Sequence, residues 1–400
     1  MARLLFLGAS VSQLPAIRYA RDAGHYIVAV DGDSDAVGFA LCDVGEAVDF
    51  TDVDRVAAIA ERERVEGILT ICTDRAVVPA ATVAELLGLP GIGVEVARAM
   101  THKPTMRTYL AHAGVPQPPY ALLTAKTDLA QAADVPLPAV LKPADSGGQR
   151  GLFMIKTPEE LVHHLPEALA ASRSGEAMFE QYVDGVELNV LLAVRDGVAA
   201  PLTLSDRLRP TGAGFGVGWI HSFPSSLSED VLAEVHEVSS AAVRALGLRD
   251  GIAFPQVIAS DAGVVVVEVA ARIAAGQMAD VVRHGTGIEL FNIAISQALG
   301  APVPDSMVSP RFVRPIAIRF LTAAPGPLPV GTVTAIEGLD RVRSAPGVLD
   351  AGVYFDVGTH IGPVQVDADR RGYVLATGET PTKALELADA AAGLLVVRIE

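Results

Sequence analysis

The stretch Gly251–Gly276, GIAFPQVIASDAGVVVVEVAARIAAG, holds a glutamine, a glutamate and an arginine in a setting that is otherwise almost wholly apolar. Ala253–Ser260 and Val264–Ala270 read as two strands joined by Asp261-Ala262-Gly263, a short hairpin loop whose glycine takes up left-handed backbone. A turn centred on Ala262 sets Gln256 opposite Glu268, and directly opposed side chains have Cβ atoms roughly 4.5–5.5 Å apart. A carboxylate beside an amide oxygen is a hard-oxygen pair of the kind Mg²⁺ prefers. If the strand continues, the period of two brings Arg272 to the same face. A metal pair followed by a cation suits an anionic, phosphorylated intermediate. An edge hairpin with a solvated glutamate and arginine would show the same residues, so other segments must decide.

Three of them carry lysines, glycines or acids in suggestive places. In AMTHKPTMRTYLAHAGVPQPPY, Thr101 is the expected N-cap of a helix that Gly114 stops, and Lys103 lies in its first turn. A cation there gains nothing from the helix dipole. In PAVLKPADSGGQRGLFMIK, a strand Ala139–Lys142 ends in Lys142-Pro143, and a loop with Ser146, Gly147, Gly148 and Gly151 leads to a strand Leu152–Ile155. Glycine amides closing over phosphates above a basal lysine make a triphosphate clamp, although G-x-x-x-x-G-K-[ST] is absent. MFEQYVDGVELNV is a strand, a turn at Asp184-Gly185 and a second strand. The first strand's edge can offer backbone groups to an adenine ring around Glu180 and Val183, and Glu187 can take ribose hydroxyls.

These residues need a scaffold, and the chain is long enough for one. Its 400 residues are enough for two to three domains and an ample core. No apolar run approaches the ~20 residues of a membrane span. The start MARLLFLGAS is too short for a signal peptide, which with the cysteines leads to a cytoplasmic expectation. Net charge is −16, which argues against a broad nucleic-acid surface while leaving room for a local basic cleft. Cys42 and Cys72 form no CxxC and read as buried thiols in a reducing compartment. RLLFLGA, YIVAVD and GILTIC alternate with helical segments Leu14–Ala23 and Val53–Glu63, a parallel α/β unit. Its first turn, GASVSQ, is not G-x-G-x-x-G, and Asp31 at a strand end reads as a turn residue, so NAD binding is disfavoured.

Lys103, Lys142 with its glycine loop, EQYVDGVE, and paired metal ligands ending in Glu-x-x-x-Arg, in this order, closely resemble the ATP-grasp superfamily, in particular its carboxylate–amine (L-amino-acid) ligases. The resemblance runs over nearly the whole chain, including the C-terminal GTVTAIEGLDRV and GTHIGPVQVDADRRGYVLATGETPTKALELADAA. It implies a Rossmann-like parallel α/β domain over 1–100, an ATP-grasp domain over 101–300 with its glycine-loop lid at about 117–185, and a small α+β closing domain over 301–400. It implies ATP with Mg²⁺, or Mn²⁺ in its place, as cofactors. Lys103 and Lys142 would contact phosphates, Ser146, Gly147 and Gly148 would cover them, Glu180 and Val183 would meet adenine, and Glu187 the ribose. Gln256 and Glu268 would hold the metal, and Arg272 the acyl phosphate. Many relatives have Glu where this chain has Gln256, and Asn where it has Ala270; the glutamine can still coordinate Mg²⁺ but removes one negative charge from the metal site.

The implied reaction is ATP-dependent amide or peptide bond formation between a small-molecule carboxylate and an amine, through an acyl phosphate, with ADP released. Two other readings remain open: a bicarbonate-using carboxylase of the same superfamily, and a nucleotide-binding protein without turnover. The region of Ser205–Pro210, the glycine-rich Thr211–Trp219 and His221 is where ligases of this kind build their substrate pocket. Arg207 or Arg209 could pair with a carboxylate, and His221 or Trp219 could line the pocket. Gly276 suits close approach of a substrate to backbone. Arg283 and His284 are explained without function by a helix C-terminus beside Gly285. A homodimer fits the resemblance but no residue specifies one; neither a nucleic acid nor a membrane is an expected partner.

Overall fold

A computed structural model gives the architecture, and it describes residues 1–127, 129–209 and 215–400. The N-terminal part comprises β1 (Arg3–Leu7), α1 (Leu14–Asp22), β2 (Tyr26–Asp31), β3 (Val44–Ala47), α2 (Val53–Arg62), β4 (Gly67–Leu69), α3 (Val77–Leu86) and α4 (Val94–Ala99). Its sheet is parallel, in the order β3-β2-β1-β4. Leu5, Leu7, Val28 and Val30 pack on Val56 and Ile59 of α2, while Leu4, Phe6, Ile27 and Ala29 join the core of the molecule's body. Both faces are therefore buried, which explains strands that are continuously apolar. Asp52 caps α2 by accepting from the Arg55 amide at 3.3 Å. β3, with the sequence VGEA, carries too little hydrophobic alternation to be found from its residues.

Next come α5 (Lys103–His112), β5 (Tyr120–Thr124), β6 (Ala139–Pro143), β7 (Phe153–Ile155), α6 (Pro158–Ala170) and β8 (Glu176–Gln181). The four strands form a separate antiparallel sheet, β5-β8-β6-β7, backed by α6. Thr101 is not the cap of α5. His102 holds that position, and the Thr101 hydroxyl donates back to the Ala97 carbonyl at 2.7 Å.

The body contains β9 (Val186–Arg195), β10 (Val198–Leu208), β11 (Ile220–Phe223), α7 (Glu229–Ala245), β12 (Gly251–Ser260), β13 (Gly263–Ala270), α8 (Met278–Thr286), α9 (Leu290–Ala298) and α10 (Asp305–Val308). The C-terminal segment adds β14 (Ile316–Phe320), β15 (Gly331–Glu337), α11 (Leu339–Arg343), β16 (Val348–Val353), β17 (His360–Ile361), β18 (Gly372–Thr377), α12 (Pro381–Ala392) and β19 (Val396–Ile399). One eight-stranded sheet runs β13-β12-β9-β10-β11-β14-β18-β16, so the C-terminal strands continue the body's own sheet. The small sheet β17-β15-β19 packs over them. Among the described residues no helix is long and apolar enough to cross a membrane.

Candidate functional site: an anion-binding cleft beneath a glycine lid

The β12–β13 hairpin sets Gln256 opposite Glu268, but by a different route from a three-residue turn. Ser260 pairs with Gly263, so the loop is the two residues Asp261 and Ala262, and by itself that register would bring Val267 to Gln256. A β-bulge at Val267 restores the glutamate to its place. The bulge is held from outside: Arg107 Nη1 donates to the Val266 carbonyl at 2.9 Å and Nη2 to that of Val267 at 2.8 Å. On its other side Gln256 pairs with Asn189 of β9, which pairs with Ser205 of β10. Ser205, Asn189, Gln256 and Glu268 thus form one row of oxygen-bearing side chains, with a single carboxylate at its end. The Glu268 and Gln256 oxygens are donors that fit a hard divalent cation. Among the described residues no three His, Cys, Asp or Glu side chains gather as a metal cage, so any further ligands would come from phosphates or water.

Two lysines face this row. Lys103 Nζ lies 3.3 Å from Glu268 Oε1 and donates to the Ser146 carbonyl of the glycine loop at 2.9 Å. Lys142 Nζ lies 2.6 Å from Glu180 Oε2, and Arg107 Nε donates to Glu180 Oε1 at 2.9 Å. Burial pushes the Glu180 carboxyl up, but Arg107 and Lys142 outweigh it and hold it down at about 2. Lys142 moves the other way: burial lowers it, and Arg107 and Lys103 add repulsion that the Glu180 attraction does not cancel. The two directions are consistent, because the carboxylate has two cations against it and the lysine one close anion. Glu180 is therefore a buried anchor, and only its backbone is left for an adenine.

Lys103, Lys142, Ser146, Gly147, Gly148, Glu180, Val183, Glu187, Gln256 and Glu268 line one cleft of about 120 Å³. Gly148 (φ +72°) and Gly151 (φ +66°) supply the left-handed backbone that bends the loop over it. Gln149, between them, adopts φ +70° without being glycine, as do Cys72 (φ +63°) and Gln277 (φ +59°) near the reacting region. The Gly148 carbonyl accepts from the Asp367 amide at 3.3 Å, so the C-terminal segment touches the lid.

Arg207 and Arg209 line this same cleft and do not form a separate carboxylate pocket. Arg207 Nη1 lies 2.7 Å from Glu187 Oε1, and Arg209 makes a close ion contact with the second oxygen of Glu187. Both expected substrate arginines are thus paired with the expected ribose carboxylate. Arg207 also donates to the Gly216 carbonyl at 2.8 Å. Trp219 is fully buried in the C-terminal core and is not among the described residues that line this cleft. The rest of the glycine-rich run, residues 210–214, lies outside the described residues.

His221 and Gly276 meet elsewhere, outside the cleft lining. A Cβ on Gly276 would stand 3.2 Å from His221 Cε1, 3.3 Å from Phe320 Cζ and 3.5 Å from Arg370 Nη1. Burial, then the charges of Arg370 and Arg207, hold His221 well below its ordinary value, so its imidazole is neutral. A contact with the Gly276 backbone acts against these effects without cancelling them. Arg370 stacks on Phe320, 4.5 Å from guanidinium carbon to ring centroid. Beside them Gln277 donates to the Tyr354 hydroxyl at 2.9 Å. Arg283 and His284 sit in α8, which runs on through Gly285 to a left-handed C-cap at Gly287.

Arg272 is anchored from the N-terminal part. Its Nε and Nη2 donate to Asp74 Oδ1 and Oδ2 at 2.6 and 2.8 Å, a bidentate pair. Burial opposes the charge on Asp74, but Arg272 outweighs it, with Lys103 and Arg173 helping, and holds the carboxyl below its usual range. Backbone links fix the approach: Ile71 bridges Ile273, and the Cys72 amide donates to the Ile273 carbonyl at 2.9 Å. The two thiols are half-buried and unpaired, and burial pushes each up to about 11. Asp31 serves two turns, accepting from the Asp33 amide at 3.0 Å in its own and from the Ala9 amide at 2.7 Å in the loop after β1.

Sequence reasoning missed Asp74, Arg107, Asn189 and Arg370. Arg107 had a signal, since it lies four residues after Lys103 on one helical face. The others had none, because their partners are distant in the chain.

A cleft under a glycine loop, flanked by a parallel α/β unit and a sheet that the C-terminal segment completes, is the architecture of the ATP-grasp ligases. Residues 102–306, just over half of the chain, match the family of the carbamoyl-phosphate synthase L chain ATP-binding domain, and the chain belongs to that family. Residues 319–400 match L-amino acid ligase C-terminal domain 2. Uncharacterized protein y4rH of Sinorhizobium fredii is 30% identical over 312 residues, covering 76% of this chain and 63% of that protein. The formate-dependent phosphoribosylglycinamide formyltransferase of Ignicoccus hospitalis is 27% identical over 397 residues, covering 94% and 90%. Among solved structures, L-amino acid ligase from Bacillus licheniformis superposes with a TM-score of 0.86 at 19% identity, over 100% of this chain and 99% of that one.

Proposed function

We propose that this chain is an ATP-dependent carboxylate–amine ligase that makes an amide or peptide bond between small molecules through an acyl phosphate, with ADP and phosphate released. The observation that carries it is the convergence of Lys103, Lys142 and the glycine loop on the Gln256–Glu268 pair, with Arg272 beyond it. Lys142 can turn to a phosphate because Arg107 stays with Glu180. In the same way Arg209 can leave Glu187 to a ribose hydroxyl while Arg207 remains. Lys103, now shared between Glu268 and the Ser146 carbonyl, would be free to face a phosphate if Glu268 held a cation. A bound Mg²⁺ would supply charge neutralisation at the transferring phosphoryl group. Arg272, oriented by Asp74, receives the negative charge that appears on the acyl phosphate and on the adduct. The lid excludes the water that would otherwise hydrolyse that intermediate.

A second copy of the chain is compatible with this reading, as is a cytoplasmic enzyme. The deciding experiment measures ADP release over pairs of amino acids and other carboxylates, with hydroxylamine replacing the amine. Attack at the γ-phosphorus predicts ADP together with a hydroxamate. AMP as the nucleotide product would exclude the mechanism. Release that depends on bicarbonate alone would make the chain a carboxylase, and ATP binding without turnover across the panel would make it a non-catalytic nucleotide binder.

A further inference from the structure

Arg370 of the C-terminal segment spends few of its donors on the protein. Only 13% of its side chain is accessible, and its guanidinium lies over the Phe320 ring, 4.5 Å from the centroid. Nε donates to the Asp367 carbonyl at 3.1 Å, and Nη1 reaches the Gly218 carbonyl only at 3.5 Å. Nη2 donates to nothing among the described residues: Asp367 Oδ2 stands 3.6 Å away, too far for a hydrogen bond. Unlike Arg371 Nε, that nitrogen is not closed off from solvent. The fork that recognises planar, two-oxygen anions is therefore held flat and left largely free.

Charge is left over as well. Arg207 and Arg209 both pair with Glu187, Arg207 also stands 3.7 Å from Asp367 Oδ1, and Asp367 is shared with Arg370. This run of ion pairs sets three guanidiniums against two carboxylates and ends at Arg370. Burial lowers the Arg370 guanidinium, and Arg207 adds repulsion that Asp367 does not cancel. A largely buried charge without a full partner is costly, and an anion at the fork offsets it. A single negative charge restores the balance, which suits a carboxylate; a phosphate dianion would overshoot it. We propose, given the ligase reading on which this rests, that Arg370 receives a substrate carboxylate that never takes the phosphoryl group, so that at least one of the two molecules joined carries an acid besides the one activated.

The fork stands on the Arg272 side of the molecule. A Cβ on Gly276 would lie 3.5 Å from Arg370 Nη1, and Gly276 is four residues after Arg272 in the same segment. Tyr354 accepts from the next residue, Gln277, at 2.9 Å. Burial raises the Tyr354 hydroxyl, and the charges of Arg370 and Cys72 act on it too, while Cys72 lies within the influence of Arg272. An acid activated beside Arg272 gives its charge to the phosphoryl group, so Arg370 is left for one that stays ionised.

Calorimetry of the chain with ADP and Mg²⁺ reads the site without turnover, using propionate, propionamide and methylphosphonate as probes. Expected are saturable propionate binding, propionamide weaker by at least about tenfold, the usual worth of a hydrogen bond to a charged group, and methylphosphonate no tighter than propionate. Arg370→Met should weaken propionate at least about tenfold and leave propionamide unchanged, a difference that a merely structural arginine would not produce. If Arg370→Met does not fold, Arg370→Lys keeps the charge without the fork and should narrow the acid-over-amide preference at least about threefold. Turnover then names the molecule, with glycine against glycinamide as amine and glutarate against its monoamide as acid. One of the two amides should raise KM at least about tenfold at similar kcat, and Arg370→Met should erase that difference. Propionate binding that depends on Arg370, with no ADP release in any arm, would support the carboxylate site and remove the ligase reading. Hydroxamate formation with equal binding of propionate and propionamide would overturn the carboxylate site alone, as would KM values indifferent to both amides.

Discussion

Glu268 is the only carboxylate in the row Ser205–Asn189–Gln256–Glu268, so the charge available to a cation rests on one side chain. Glu268→Gln leaves two opposed amides there. Turnover is expected to fall at least about a hundredfold, since a bound metal ion contributes several kcal/mol of transition-state stabilisation. Near-normal rates at limiting Mg²⁺ would refute the assignment, and Gln256→Glu should bind Mg²⁺ at least as tightly as the parent. The cations differ from one another in the same way. Lys142 faces the cleft before any reaction, so Lys142→Ala should weaken ATP binding itself in calorimetry. In the proposed mechanism Arg272 meets its charge only as the acyl phosphate forms, so Arg272→Ala should keep ATP affinity within roughly threefold and lower turnover. The reverse pattern would exchange their roles.

Between elements, Arg107 does the most joining: from α5 it reaches Glu180 on β8 and the bulged carbonyls of β13. Arg107→Met strips those carbonyls of a donor and leaves Glu180 with Lys142 alone. Denaturant unfolding should show a loss of about 3–5 kcal/mol, the usual consequence of breaking a buried pair. The pair also has a pH signature. A carboxyl held at about 2, against an ordinary 4.5, contributes stability that is present above pH 4.5 and lost as pH falls towards 2. The stability gap between the parent and Glu180→Gln should therefore shrink across that window, and a constant gap would contradict the low value. Much of this scale was readable in the residues: the hairpin, the glycine loop and the strand alternation all declare themselves by local period and turn chemistry. The bulge was not, because it depends on a guanidinium from another element. Nor was the neutralising of Glu187 by Arg207 and Arg209, which only the β9–β10 pairing reveals.

Across the whole molecule, three parts of the chain meet above the cleft: Asp74 from the N-terminal part, Gly147–Gly148 from the lid, and Asp367 from the C-terminal segment. Asp74 and Arg272 are 198 residues apart in sequence, which is why no pattern in either neighbourhood announces the pair. A Cβ on Gly147 would stand 3.4 Å from Asp74 Oδ2, so the same carboxylate that orients Arg272 also lies under the lid. Asp74→Asn should thus lower turnover at least about tenfold, with ATP affinity little changed, if the proposed mechanism holds and the Arg272 charge acts in the transition state. Lid closure makes a separable demand, since an acyl phosphate survives only if water is kept out. Inserting two residues between Gly147 and Gly148 loosens the cover while sparing both lysines, Glu268 and Arg272. The expected outcome is ADP release that continues while amide yield per ADP falls, with hydroxylamine capturing less hydroxamate as water competes. An insertion that slows both products in proportion would mean that the loop acts in nucleotide binding alone and shields nothing.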